Sequence, residues 1–144
     1  FQFVRSIMTY WLSKSGERLR NQINDAFPDR DKRSDGWIGD TRHSATKSDH
    51  NPALPSGVVR AIDIDSDLGG AANNAHYLAN QLRKRAKKDK RISYIIFNKK
   101  IASRILFWKW RKYSGYPHTS HIHISFTPLG DQDKRKFKLP ILGE

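Results

Sequence analysis

Apolar residues along this chain recur at two periods, and the switches between them outline its elements. Within residues 13–27, SKSGERLRNQINDAF, Leu19, Ile23 and Phe27 return every four positions, which predicts a helix with one apolar face. Ser13 or Ser15 can cap its start, and Pro28 stops it. Residues 58–64, VVRAIDI, are β-branched and largely apolar, as expected of a buried strand. A second helix is expected over 71–87, with Ala75, Leu78, Leu82 and Ala86 on one face. The basic run 83–91 reads as its solvated end. ISYIIF (92–97), a turn at 98–100 and IASRILF (101–107) then read as a hairpin, and HIHISFT (121–127) as a last strand. The tail from Pro128 is charged and then apolar, and its pattern assigns it to no element.

Between the first helix and the first strand, residues 28–57 carry Pro, Gly, Asp, Asn and Ser throughout, without sustained periodicity. A loop of this length inside a compact domain is usually functional, so chemistry is expected there. There is no internal repeat and no linker. The expected architecture is one small α+β domain over 8–144, a central antiparallel sheet with flanking helices, and residues 1–7 as an upstream segment.

Composition narrows the chemistry. The chain has 144 residues, enough for one core, and no cysteine, which excludes disulfides and thiolate metal sites. Any metal must sit on histidine and carboxylate. With 27 basic against 14 acidic residues, the net charge of +13 points to an anionic partner. No apolar run approaches the roughly 20 residues of a membrane span. The opening stretch FQFVRSIMTYWL is interrupted by Gln2 and Arg5 and has no convincing cleavage site, so it is not read as a signal peptide. Synthesis in the cytoplasm and a monomeric state are expected.

Six residues stand out. His50 lies in the long loop, in SDHNP (48–52). Asp63 and Asp65 stand two apart at the end of an apolar strand, so both point to one face, where a carboxylate is costly unless paired or bound to metal. His118, His121 and His123 fall within six residues, a density that packing does not explain. In a strand His121 and His123 share a face, with His118 just before them. Imidazole is the commonest metal ligand and also moves protons near neutral pH. Two His and one carboxylate, with a fourth position for water, follow the logic of a catalytic zinc site suited to amide hydrolysis.

Taken together, Ser48-Asp49-His50, the stretch 57–63 ending in Asp63, and His121-Ile122-His123 resemble the D-Ala-D-Ala metallopeptidase superfamily. DGWIGD (35–40), VVRAIDID (58–65), the hairpin 92–104 and HTSHIHIS (118–125) are similar to the peptidase modules of endolysins from phages of actinobacteria. The resemblance spans about residues 8–127. It implies a hedgehog- and D-Ala-D-Ala-peptidase-like fold and a bacteriolytic hydrolase acting on stem peptides of bacterial peptidoglycan. It also implies a Zn2+ ion held by His50, Asp63 and His123. Enzymes ending in His-x-x-His-x-His, such as the penicillin-insensitive murein endopeptidases, further imply His118 as general base and His121 as oxyanion stabiliser. Ser48 and Arg42 are the implied substrate contacts. On this reading the basic surface faces anionic wall polymers rather than nucleic acid.

Two departures from the family pattern keep alternatives open. Twelve residues, 51–62, separate the first His from Asp63, more than is usual, which leaves Asp65 as a competing ligand. Ser120 stands where many members carry an acidic acid/base residue. A metal-dependent nuclease would fit the charge, although it would favour magnesium on several carboxylates. A non-catalytic zinc-containing binding module of the same fold would fit Ser120.

Overall fold

The computed structural model describes residues 9–38 and 48–143. Their elements are β1 (Trp11–Leu12), α1 (Lys14–Ala26), β2 (Val58–Val59), β3 (Ala61–Asp65), α2 (Asn74–Ala86), β4 (Ile92–Phe97), β5 (Lys100–Ser103), β6 (Arg111–Lys112) and β7 (His121–Phe126). Five strands form one antiparallel sheet in the order β3-β7-β4-β5-β6, and β1 pairs in parallel with β2. The chain is therefore a small α+β fold with two helices and a five-stranded antiparallel sheet.

Alternation along the strands sorts the two sheet faces. Ile62, Ile64, Ile122, Ile124 and Phe126 point into the core with Leu19 and Ile23 of α1 and Leu78 and Leu82 of α2. The intervening residues, Asp63 on β3 and His121, His123 and Ser125 on β7, take the opposite face. Gly16 sets the depth of α1 on the sheet, since a Cβ there would lie 3.1 Å from Leu12 and 3.2 Å from Phe126.

Several elements differ from the sequence expectation at their ends. The strand 58–64 breaks at Arg60, whose guanidinium pairs with both carboxylate oxygens of Asp131 at 2.8 Å. Val58 and Val59 go to β1 and residues 61–65 go to β7. The second helix starts at Asn74 rather than 71, after Gly69 and Gly70 at φ 74° and 73°. The second hairpin arm ends at Ser103 and passes into a helical turn, Arg104–Leu106. The hairpin turn itself uses Asn98 and Lys99 at φ 52° and 66°, both left-handed, as a tight twisted hairpin requires.

The largest difference concerns the basic run and the tail. Arg91 is buried rather than solvated, because Asp89 pairs with it at 2.6 Å and it lies 3.8 Å over the Phe137 ring. Phe137 and Leu139 of the unassigned tail are fully buried, with the Phe137 backbone held by the Gln22 side chain at 2.8 and 2.9 Å. No helix among the described residues is long and apolar enough to cross a membrane.

Candidate metal centre

The site is assembled on the sheet face away from the helices. Asp63 of β3 stands opposite His123 of β7 in register. Both backbone polar groups of Asp63 are engaged by Gly36, at 2.7 and 3.1 Å, on the other side of β3. Asp63 and His123 thus form a non-hydrogen-bonded pair of the ladder, the kind in which side chains approach most closely. The Gly36 bridge sets Trp37 beside the strand of Asp63, and the Trp37 carbonyl meets the His50 ring.

Three ligand atoms converge. His50 Nε2 lies 3.2 Å from Asp63 Oδ1 and 3.1 Å from His123 Nδ1, and His123 Nδ1 lies 3.2 Å from Asp63 Oδ1. A tetrahedral ion with bonds of about 2.0–2.1 Å holds its ligands about 3.3–3.4 Å apart, so this triangle is close to zinc dimensions. His50 and His123 are buried, and Asp63 keeps 18% of its side chain exposed, which leaves the cluster open on one side.

The second contacts of each ring strengthen the case. His50 Nδ1 lies 2.9 Å from the Trp37 carbonyl, which can only accept, so the proton is on Nδ1 and, in the neutral ring, Nε2 presents a lone pair. His123 Nε2 lies 2.7 Å from Ser125 Oγ; donating there leaves His123 Nδ1 as the second lone pair. Two lone pairs and a carboxylate oxygen then face one another at contact distance. Such a group requires a proton or a cation between its members, and the outer hydrogen bonds match those that orient metal-bound histidines. His50, Asp63 and His123 together could hold a metal ion.

Electrostatics point the same way. Burial acts to raise the Asp63 pKa, but hydrogen bonds and charge from His123 and His50 hold it below the usual carboxylate range. Burial acts to lower the His50 pKa, and the Asp63 hydrogen bond and charge outweigh it, so the pKa is raised. In His123 burial prevails over Asp63 and the pKa is lowered. The carboxylate of Asp63 is therefore ionised beside the two rings.

The remaining expected residues fall in distinct places. Asp65 is not in the cluster: its Oδ2 accepts from the Ser34 N–H at 2.9 Å and its Oδ1 from the Asp67 N–H at 2.8 Å. His118 and His121 stand beside the cluster, with ring centroids 4.9 Å apart, and His118 is 5.6 Å from His123. His118 Nδ1 donates to the Tyr116 carbonyl at 2.6 Å, which leaves Nε2 as a free acceptor in the neutral ring. Burial, together with the neighbouring His123 and His121, brings its pKa down to about 4 against the Tyr116 hydrogen bond. His121 Nε2 lies 3.6 Å from the second Asp63 oxygen, and Ser120 Oγ is 3.2 Å from His121 Nδ1. Ser48 Oγ accepts from the His50 backbone N–H at 3.2 Å, so it shapes the turn that presents His50. Arg42 lies outside the described residues.

Sequence reasoning missed Trp37, Ser125 and Tyr94. Tyr94 stacks on His123 with centroids 5.4 Å apart and an interplanar angle of 15°. Burial raises its pKa, with Ser125 and Asp49 at its hydroxyl. Ser125 was readable as the same-face neighbour two residues after His123; a backbone carbonyl such as that of Trp37 leaves no mark on composition. Comparison with family models, curated proteins and solved structures yields no match for this chain, so the reading of the site rests on its geometry.

Proposed function

We propose that this chain is a zinc-dependent peptidoglycan peptidase of endolysin type, hydrolysing an amide bond in the stem peptide or cross-link. The observation that carries this reading is the His50–Asp63–His123 triangle, with His118 and His121 standing beside it. Zinc, when bound there, would lower the pKa of a water and polarise the scissile carbonyl.

The chain's own residues supply the rest. His50, Asp63 and His123 would hold the ion, and the Trp37 carbonyl and Ser125 orient the two rings. His118 Nε2 accepts a proton as the nucleophile attacks and returns it to the departing amine. It fills the role for which Ser120 is unsuited. His121 donates to the oxygen on which negative charge develops, and also flanks the outer oxygen of Asp63. The net charge of +13 favours approach to an anionic wall.

The test is zinc-loaded protein on purified sacculi, with mass spectrometry of the released fragments. New amine and carboxyl ends are expected from the wild type, and their absence from a His118→Ala variant that retains zinc. Zinc-loaded protein that releases no amine would return the chain to the binding-module reading.

A further inference from the structure

The basic run at the end of α2 and the charged tail, unrelated in sequence, line one open cavity of about 740 Å³. Its cationic side chains are Arg85, Lys88, Lys90 and Arg91 from the first and Arg135, Lys136 and Lys138 from the second. Its two carboxylates are already engaged. Asp89 pairs with Arg91 at 2.6 Å, and Asp133 pairs with Arg135 at 2.7 Å. Among the described residues, no further carboxylate of the lining is left for Arg85, Lys88, Lys90 and Lys138.

The cavity is also built rather than incidental. Arg91 crosses beneath it, donating to the carbonyls of Arg135 at 2.6 Å and Lys136 at 3.4 Å. Phe137 and Leu139 are buried in alternation with Lys136 and Lys138, so the two lysines face outward along an extended backbone. Residues two apart on such a backbone stand roughly 6.6–6.8 Å apart, which sets the two lysines in a row along the cavity. On the helix side, Arg85 Nε is buried and has no hydrogen-bond partner among the described residues. Arg85 as a whole is only partly buried, so the rest of its guanidinium fork can present donors to the cavity.

We infer that this cavity is a binding site for a linear chain of phosphate groups, separate from the metal centre. The lining favours that partner over nucleic acid. Among the described residues, its lining has one apolar member, Leu129, and no aromatic ring on which a base could stack. A concave cavity also suits a single flexible chain better than the rigid face of a duplex. The phosphate chain is either an ester-linked polyol phosphate or inorganic polyphosphate, which share the chemistry this site recognises. This inference stands without the peptidase reading, because it uses none of that site's residues.

The experiment measures binding of a glycerol-phosphate oligomer and of inorganic polyphosphate to the full chain by titration calorimetry. One variant carries Arg85→Gln, Lys88→Gln, Lys90→Gln and Lys138→Gln. A control removes equal charge elsewhere through Lys99→Gln, Lys100→Gln, Arg111→Gln and Lys112→Gln. At least about a tenfold loss is expected in the first variant, with a log–log salt slope shallower by about 3, as four lost phosphate contacts predict. The control should stay within about twofold, and thermal unfolding checks that both variants fold. Whichever phosphate chain binds tighter identifies the source. Equal loss in both variants would overturn the site in favour of overall charge. Poly-glutamate or duplex DNA binding more tightly than either phosphate chain, and losing affinity in the first variant, would overturn the ligand class. Unchanged zinc content in the first variant separates any failure here from a failure at the metal centre.

Discussion

Asp63 and His123 face each other across the β3–β7 ladder, with Oδ1 and Nδ1 3.2 Å apart, because Gly36 takes both backbone polar groups of Asp63. The strand pairing therefore sets the spacing of two of the three atoms that could hold a metal ion. His50 completes the set, its Nδ1 donating to the carbonyl of Trp37, the residue after Gly36.

Asp63→Ala should lower zinc affinity by more than about 100-fold, since it removes a ligand rather than an outer contact, whose loss alone costs about 10–100-fold. Asp65→Ala should keep the metal and instead cost roughly 1–3 kcal/mol of stability, because the Ser34 and Asp67 amides lose their acceptor. Zinc content and thermal unfolding, measured on both, check this. Full zinc in Asp63→Ala with loss in Asp65→Ala would reverse the assignment.

Ser125→Ala leaves all three ligands in place but removes the partner of His123 Nε2. Zinc affinity should fall by about 10–100-fold, read by competition with a chromophoric chelator. Unchanged affinity would mean that Ser125 does not orient the ring.

Zinc added to the metal-free protein should raise the melting temperature, since binding to the folded state alone stabilises by about 2.7 kcal/mol at 100 times Kd. The increase should vanish in Asp63→Ala. An equal increase in that variant would place the ion elsewhere, with the basic cavity excluded by its charge.

His118→Ala should retain zinc and lose on the order of 10²–10⁴ in rate on a stem peptide. With its pKa lowered to about 4, His118 is neutral throughout the neutral range, and the wild-type activity should fall only well below pH 6.5. An acid limb centred on ordinary imidazole would assign the proton transfer to another group.

The Asp89–Arg91 pair carries a pH-dependent share of stability. Burial would raise the Asp89 pKa, but Arg91 lowers it in net. A carboxylate depressed in the folded state stabilises above its unfolded pKa of about 3.9, and that contribution is lost as pH falls through the folded value. Asp89→Asn should cost roughly 1–3 kcal/mol at pH 7, and the difference from wild type should shrink below about pH 4. Denaturant unfolding at pH 7 and pH 3 checks this; an equal difference at both would remove the charge from the account.

The four-residue recurrence of Leu19 and Ile23 and the alternation of His121, Ile122, His123 and Ile124 were enough to place a helix, a strand and their buried faces, because both signals are local periods. The candidate ligands were also legible locally, as histidines and carboxylates at the ends of apolar runs in a chain without cysteine. What periodicity could not separate was Asp63 from Asp65, since residues two apart in a strand are equivalent. The fold decided between them through contacts distant in sequence, Gly36 and His123 for one, the Ser34 amide for the other. The same holds for the Trp37 carbonyl on His50, and for Phe137 and Leu139, whose burial needs α1 and α2 already in place. A backbone carbonyl has no residue type, and a short alternating tail is no stronger a signal than a loop. Only the packed sheet and helices show where such groups must go.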